Sequence, residues 1–460
     1  MIRKLVIIFG YVVATAVVVF GTIALIAYGN GYSYDLATGR LVHRGLIILQ
    51  STPSGALVTL EGKPQSQRTP YRHSFVTGTY HFVLAKSGYR TWEKSLWVVA
   101  SQADLAQYVI LLPQHLAVAI FGTYPDVSQS LAARDHHLVG FVVSSGPTAG
   151  VWTLDTSSHQ QTRIYAAAPA SDTTPAETVQ LLSWADDDSH LLIRSQIGDK
   201  RLLLAVATSG GGAPVDLDAT FQQDIDNASF NPANSRQLYW LSSDKQLRRL
   251  DLSNQVVSPV LADHVAAFTY AADRLLYVST ANTVPSLWSV DSSGSKTQLV
   301  AKLPSSSTYE LAFTTYIGTP EVAVASQDSH TVTLYSDVYS KPVVTTLTAP
   351  GQHVAFNGDG RFLLEYDDQH VATYDLQRQT TYVMPPRNSA VTGLSWFDNY
   401  HLVFNRGGQI VLSEFDGNYA IVVTRGDSLP PIGSEDTKSV IATSPTSTGT
   451  TLLKAIKIRQ

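Results

Sequence analysis

The densest run of acid in the chain is Asp186-Asp187-Asp188. Three carboxylates in one loop are a candidate cation site, because Ca²⁺ gathers several oxygens from a short segment. The alternating acids and central glycine of an EF-hand loop are missing, however, and Asp in a turn commonly accepts from its own backbone. The same turn reading applies to His136-His137 and to the pair Asp367-Asp368 with His370. Three glycine-bearing stretches were candidates for a phosphate cradle. Gly62-Lys63 lacks the upstream glycine and is followed by Pro64, which makes it a hairpin tip. Gly294-Ser295-Lys296-Thr297 lacks the rest of such a loop, and Gly210-Gly211-Gly212 reads as a flexible connection between strands. There is no His-Glu-x-x-His, no Gly-x-Ser-x-Gly, no complete phosphate loop and no dinucleotide fingerprint. With no Cys in the chain, a thiol nucleophile, a disulfide scaffold and cysteine-ligated zinc or iron–sulfur sites are excluded. The residue pattern therefore assigns no catalytic residue, no cofactor-binding residue and no metal ligand. It leaves open a triad assembled across distant segments.

The elements that would position such a set come next. The chain has 460 residues, 44% of them hydrophobic and 15% charged, too apolar for a disordered protein. The formal charge of −5 is unevenly divided: residues 40–113 carry a net +5, and the residues from 114 onward carry −11. A basic module favours anionic lipid headgroups or wall polymers, and an acidic body disfavours nucleic acid. Ordinary solvated faces explain the same charges.

Leu5 to Tyr28 contains no charged residue. As a helix it would span about 36 Å, enough for a hydrocarbon core of about 30 Å. Arg3 and Lys4 precede it, and Tyr28, Tyr32 and Tyr34 follow where amphipathic rings favour the headgroup layer. The competing reading is a cleaved signal peptide with Ala14-Thr15-Ala16 as its site, but the apolar run continues through Val17-Val18-Val19-Phe20. Arg3 and Lys4 argue for a cytoplasmic N-terminus with the bulk outside; Arg40 and Arg44 on the far side argue the reverse. Gly10 and Ala14 form a small-xxx-small pair, which ordinary small residues of a membrane helix also explain.

Residues 29–45 read as a juxtamembrane linker or hairpin. Residues 46–113 then alternate short strands and turns: Leu46–Leu49, Ala56–Leu60, His73–Val76, Gly78–Leu84 and Trp92–Val98, a spacing that predicts a small β-sandwich. This stretch resembles the PEGA domain through Pro53-Ser54-Gly55-Ala56, Gly62-Lys63, Thr69-Pro70, Gly78-Thr79-Tyr80 and Lys86-Ser87-Gly88-Tyr89 with Trp92. Ser54 replaces the family's Glu, and Arg68 stands where a Gly often precedes Thr-Pro. The resemblance implies a non-catalytic, extracytoplasmic module near membrane or wall, and names no ligand.

From residue 114 onward no amphipathic helix is expected. A unit of roughly 35–45 residues recurs, the period of a repeat architecture. Its clearest copies begin at Leu181-Leu182-Ser183-Trp184, Ala228-Ser229-Phe230, Ala267-Phe268-Thr269-Tyr270, Val354-Ala355-Phe356 and Leu394-Ser395-Trp396, with weaker copies near 128–167 and 309–348. Repeated four-stranded sheets predict a β-propeller. Seven units are nearly complete. An eighth at 439–444 and 451–458 is expected to be completed by the strand 116–121, giving eight blades, with seven as the alternative. The units resemble those of TolB-like and WD-repeat-like propellers, on Asn357-Gly358-Asp359-Gly360-Arg361-Phe362-Leu363 and Trp184-Ala185-Asp186-Asp187-Asp188. That resemblance implies partner binding and no particular binding residue. Peptidase-type propellers carry a separate hydrolase domain, for which no residues remain here.

The expected organisation is a cytoplasmic segment 1–4, a transmembrane helix 5–28, the linker 29–45, the sandwich 46–113 and the propeller 114–460. The fold class is all-β apart from the helix. The expected function is binding or scaffolding at the bacterial cell envelope, not catalysis. Expected partners are the membrane and an envelope protein or wall polymer, with no nucleic acid and no cofactor. Two rivals remain: a carbohydrate-acting hydrolase or lyase with its site in the central channel, and a propeller that faces the cytoplasm.

Overall fold

The computed structural model describes residues 2–29, 31–35, 39–225, 227–271, 273–385, 389–426 and 429–459. Part of the expected linker, residues 30 and 36–38, lies outside the described residues. The chain forms two compact units, Met1–Leu116 with Ile458–Gln460, and Ala117–Lys457.

The first unit begins with a helix, Ile2–Gly29. Its stretch Phe9–Gly29 is long and apolar enough to cross a membrane, and none of that stretch is buried. Two four-stranded sheets follow. One joins Tyr32–Asp35, Arg40–Thr52, Tyr71–Val76 and Ala103–Ile110; the other joins Lys63–Arg68, Leu57–Leu60, Gly78–Ala85 and Trp92–Val98. The expected boundary after residue 45 falls inside a single strand. Arg40–Thr52 pairs with Tyr32–Asp35 through residues 40–43 and with Tyr71–Val76 through residues 44–49. The strand Ala103–Ile110, not anticipated from the sequence, pairs parallel with it. Trp92–Val98 shows why two sheets pack. Trp92, Lys94, Leu96 and Val98 are buried while Glu93, Ser95 and Trp97 are exposed, the period of a strand with one wet face. Trp92, Phe82, Ile47 and Leu49 fill the core, with Phe75 and Phe82 edge to face at 5.8 Å. Glu61 and Gly62 both take left-handed φ, at 47° and 73°, which closes the expected hairpin tip.

The second unit is a β-propeller. Its four-stranded antiparallel sheets follow one another along the chain, numbered here sheet 1 (127–166), sheet 2 (178–216), sheet 3 (228–257), sheet 4 (265–302), sheet 5 (309–346), sheet 6 (353–383) and sheet 7 (391–425). Sheet 8 combines Ile432–Gly433, Ser439–Pro445 and Thr451–Lys457 with Val118–Tyr124. Lys454 stands opposite Ile120 and Ile456 opposite Val118, so the two ends of the unit share one sheet. Such pairing covers an edge that would otherwise expose unpaired backbone groups. Consecutive sheets stack through apolar clusters: Val142 and Val151 of sheet 1 lie with Leu191 and Ile193 of sheet 2. The ring closes through Phe141 and Leu154 of sheet 1 with Ile441 and Leu453 of sheet 8.

The middle strands lie between neighbours on both sides and carry apolar runs instead of alternation, as in Leu191–Ile193 and Phe362–Leu364, all buried. No amphipathic helix was expected beyond residue 114, and the described residues there hold only short turns of helix, Leu217–Phe221 and the 3-10 turn Gln327–Ser329. Leu217–Phe221 is a single helical turn, with the Asp216 side chain accepting from Ala219 N. Leu217 and Phe221 pack between sheets 2 and 3. Five residues are too few for an apolar period to show in sequence.

Candidate functional site

The first strand of each sheet lines the middle of the propeller, and the chemistry available there depends on those strands. They read VSQSLA (127–132), TVQLLSW (178–184), ASFN (228–231), VAAFTYA (265–271), YELAFTTY (309–316), HVAF (353–356), VTGLSW (391–396) and IG (432–433). The lining is therefore mostly small, hydroxylated or aromatic. One cavity of about 620 Å³ is bounded mainly by sheets 3, 4 and 5, with Ser229, Phe268 and Tyr270 on its wall. Another of about 540 Å³ is bounded by sheets 1, 6, 7 and 8, with Ser130, Thr392 and Ser395.

Two ionisable side chains other than tyrosines stand on these strands, and they meet. His353 Nδ1 lies 2.8 Å from Glu310 Oε2, and Glu310 Oε1 accepts from Val354 N at 3.1 Å. Glu310 faces the larger cavity and His353 the smaller one, so the pair lies at the seam between them. The His353 ring sits 5.0 Å from that of Tyr366.

A second group adjoins the pair. Asp367 is the turn carboxylate expected from sequence: Oδ1 accepts from Gln369 N and His370 N at 2.8 and 2.7 Å. It also reaches two imidazoles, His370 Nδ1 at 3.0 Å and His330 Nδ1 of sheet 5 at 3.0 Å. Burial opposes its ionisation, but the bonds from His330, Gln369 N and His370 prevail and hold its pKa at about 2. Gln352 Nε2 lies 3.1 Å from His330 Nε2, which suits an Nδ1–H tautomer of His330 whose Nε2 accepts from the amide. Asp368 lines the smaller cavity beside Asp367. An imidazole oriented by such a carboxylate can carry a proton. Among the described residues no Ser or Thr hydroxyl hydrogen-bonds to His353, so a nucleophile is not assembled around it. Glu310, His330 and His353 escaped the sequence reading because each stands alone in its segment. The one signal for Glu310 and His353 is place in the repeat: they are the second and first residues of inner strands in adjacent sheets.

The triple acid resolves into three separate roles. In sheets 1, 2, 6 and 8 the loop after the inner strand is built alike, with the third residue an Asp whose Oδ1 accepts from the N–H two residues on. The four bonds are Asp135 from His137 N, Asp187 from Ser189 N, Asp359 from Arg361 N and Asp436 from Lys438 N. The fourth residue takes left-handed φ in each: His136 62°, Asp188 58°, Gly360 76° and Thr437 53°. Asp187 is thus a turn residue. Asp186 pairs with Arg134 at 2.6 Å. Asp188 is pushed up to about 6, first by burial and then by the Asp135 carboxylate. Among the described residues no group of three or more His, Asp or Glu could hold a metal ion. His137 bonds Glu435 of sheet 8 at 3.0 Å, which raises its pKa and ties the closing loops together. Gly294 turns a hairpin whose amides are already used: Asp291 Oδ1 accepts from Ser293 N and Ser295 N. Gly210-Gly211-Gly212 joins Lys200–Ala207 to Val215–Asp216, as expected.

Several buried acids had no counterpart in the sequence reading, Glu365 among them. Glu365, in the second strand of sheet 6, is fully buried, and neither carboxylate oxygen has a hydrogen-bond partner among the described residues. Burial pushes its pKa up to about 8, so it keeps its proton at neutral pH.

Comparison with known proteins gives one family match, in the first unit. Residues 44–108 match the PEGA domain. No curated protein sequence matches the chain. Among solved structures the chain is similar to an oligogalacturonate lyase in complex with manganese, at 12% identity and a TM-score of 0.43, over 75% of this chain and 98% of that one. It is similar to the β-propeller domain of Cps50 (Swd1) from Myceliophteria thermophila, at 14% identity and a TM-score of 0.42, over 66% and 99%. It is also similar to the computationally designed Ika8 protein, at 13% identity and a TM-score of 0.46, over 72% and 96%. Likeness at these identities concerns the fold alone.

Proposed function

We propose that the chain is a single-pass, membrane-anchored protein of the cell envelope, in which the PEGA-like module joins an N-terminal anchor to an extracytoplasmic interaction propeller of eight blades. A PEGA domain followed by a propeller supports a binding or scaffold role. The observation that carries the placement is the helix: Phe9–Gly29 is apolar, long enough to span, and not buried by the rest of the protein. Arg3 and Lys4 ahead of it favour a cytoplasmic N-terminus. Its partner would be an envelope protein or a wall polymer. Protease added to intact cells is expected to remove the propeller, and full protection of the propeller until lysis would overturn the placement.

A second reading rests on Glu310 and His353. Their pairing at the seam of two cavities suits proton transfer to a carbohydrate in the channel. Its test is a panel of neutral and acidic polysaccharides given to the full chain. Cleavage that disappears in both Glu310→Gln and His353→Gln supports an enzyme; no cleavage by the parent chain rejects it.

A further inference from the structure

We propose that the end of the sandwich from which the helix departs is a lipid-binding face, with Leu41, Val76, Trp97 and Val99 entering the headgroup layer beside Tyr32 and Tyr34. This rests on the anchor reading above. It extends that reading from the three tyrosines next to the helix to residues far from it in sequence.

Backbone hydrogen bonds gather these segments. Gly31 N donates to Tyr28 O at the helix end, and Arg44 N donates to Gly31 O at 2.7 Å. Thr77 N donates to His43 O, and Ser101 N donates to Arg44 O at 3.0 Å. Gly78 stands opposite Val98, and a Cβ on Gly45 would strike the Val99 carbonyl. The helix end, the start of strand Arg40–Thr52, the turn after Val76 and the loop after Val98 therefore occupy one end of the unit.

Exposed apolar side chains concentrate there. Beyond the helix, the large apolar residues exposed among the described residues of this unit are Tyr32, Tyr34, Leu41, Leu57, Val76, Trp97 and Val99. Only Leu57 lies elsewhere. It stands opposite Ala85, at the far end of strand Gly78–Ala85, about 24 Å away at 3.4 Å per residue. Scattered exposed apolar residues need no explanation, but a cluster at one end does. Leu41 is 69% exposed and Trp97 58%. The occupant follows from continuity and residue type. The patch begins where an apolar span ends, and Trp and Tyr favour the membrane–water interface. Arg40 and Arg44 lie at the same end, with Asp35 opposite Arg40, and suit anionic headgroups.

The chain has no Cys, so one introduced Cys reports one place. Full-length Leu41→Cys, Trp97→Cys and Leu57→Cys, with Val18→Cys in the helix, are each labelled with an environment-sensitive nitrobenzoxadiazole dye. They are then reconstituted in vesicles of phosphatidylcholine and phosphatidylglycerol carrying spin-labelled lipids. Positions 41 and 97 are expected to be quenched by the shallow label about two-fold or more over position 57, and position 18 by the deep label. Quenching at 41 and 97 no greater than at 57, with position 18 still quenched, overturns the lipid face and leaves the anchor standing. An unquenched position 18 overturns the anchor and the face with it.

Discussion

The sandwich and the propeller are both made of four-stranded sheets, yet they hide apolar surface in opposite ways. Each sandwich sheet has one wet face, and Trp92–Val98 alternates buried and exposed residues along its whole length. Each middle propeller strand has neighbours on both faces, and in Phe362–Tyr366 the first four residues are all buried. The difference decides what happens to a charge. Lys94 occupies an inward position in the sandwich and reaches the Tyr108 hydroxyl at 3.0 Å with its ring beneath the ammonium. Glu365 has no outward face to turn to, and stays protonated between sheets. Another buried carboxylate between sheets, Asp375, is instead held by a cation, Arg361, through two bonds.

Tests of this contrast can be ordered by expected size. Arg361→Ala leaves the fully buried Asp375 without its cation, with only the Gln377 and Arg378 amides still donating to it, and should cost about 3–5 kcal/mol, read from denaturant unfolding. A loss below about 1 kcal/mol would mean that water reaches the site. Trp92→Ala empties the sandwich core and should cost about 3–5 kcal/mol by the same measurement.

Next in size is the pH response of Glu365. Burial raises its pKa to about 8, so the folded chain keeps a proton that the unfolded chain releases above its ordinary value near 4.5. Stability from this group is present at low pH and declines as pH rises from about 4.5 to 8. Glu365→Gln should therefore raise the melting temperature at pH 8 and change it little at pH 4.5; equal shifts at both would refute a buried titration. Asp187→Ala removes a turn acceptor and should cost about 0.5–1.5 kcal/mol, with calcium leaving the melting temperature of the parent chain unmoved. The smallest effect belongs to Glu310→Gln, whose partly exposed pair with His353 should contribute below about 1 kcal/mol.

Much of this architecture was legible in advance. The closing strand was expected at 116–121 and lies at Val118–Tyr124, because an unpaired edge at one end of a repeat array needs a partner from the other. Asp187 and Asp367 read as turn residues because an Asx bond spans two or three residues and needs no distant partner. The strand Ala103–Ile110 was missed, since a parallel partner as distant as Leu46 is from Ala103 leaves no hairpin signal. The expected start of the sandwich at residue 46 lies within two residues of the family match, but a single strand, Arg40–Thr52, runs across it: one half belongs to a local hairpin and the other to the sandwich. Glu310 and His353, 43 residues apart, carried no local mark at all.

What the sequence determined by itself was everything that acts over a few residues: an uncharged apolar span, alternation in the sandwich strands, apolar runs in the propeller strands, and turns closed by Asp and Gly. Only the tertiary structure decided which lone side chains meet at the propeller axis, that Glu365 is sealed from water, and that six exposed apolar residues share one end of the sandwich. The reason is that periodicity and turn bonding are local. A contact between strands of different sheets depends on register and stacking, which no single segment encodes.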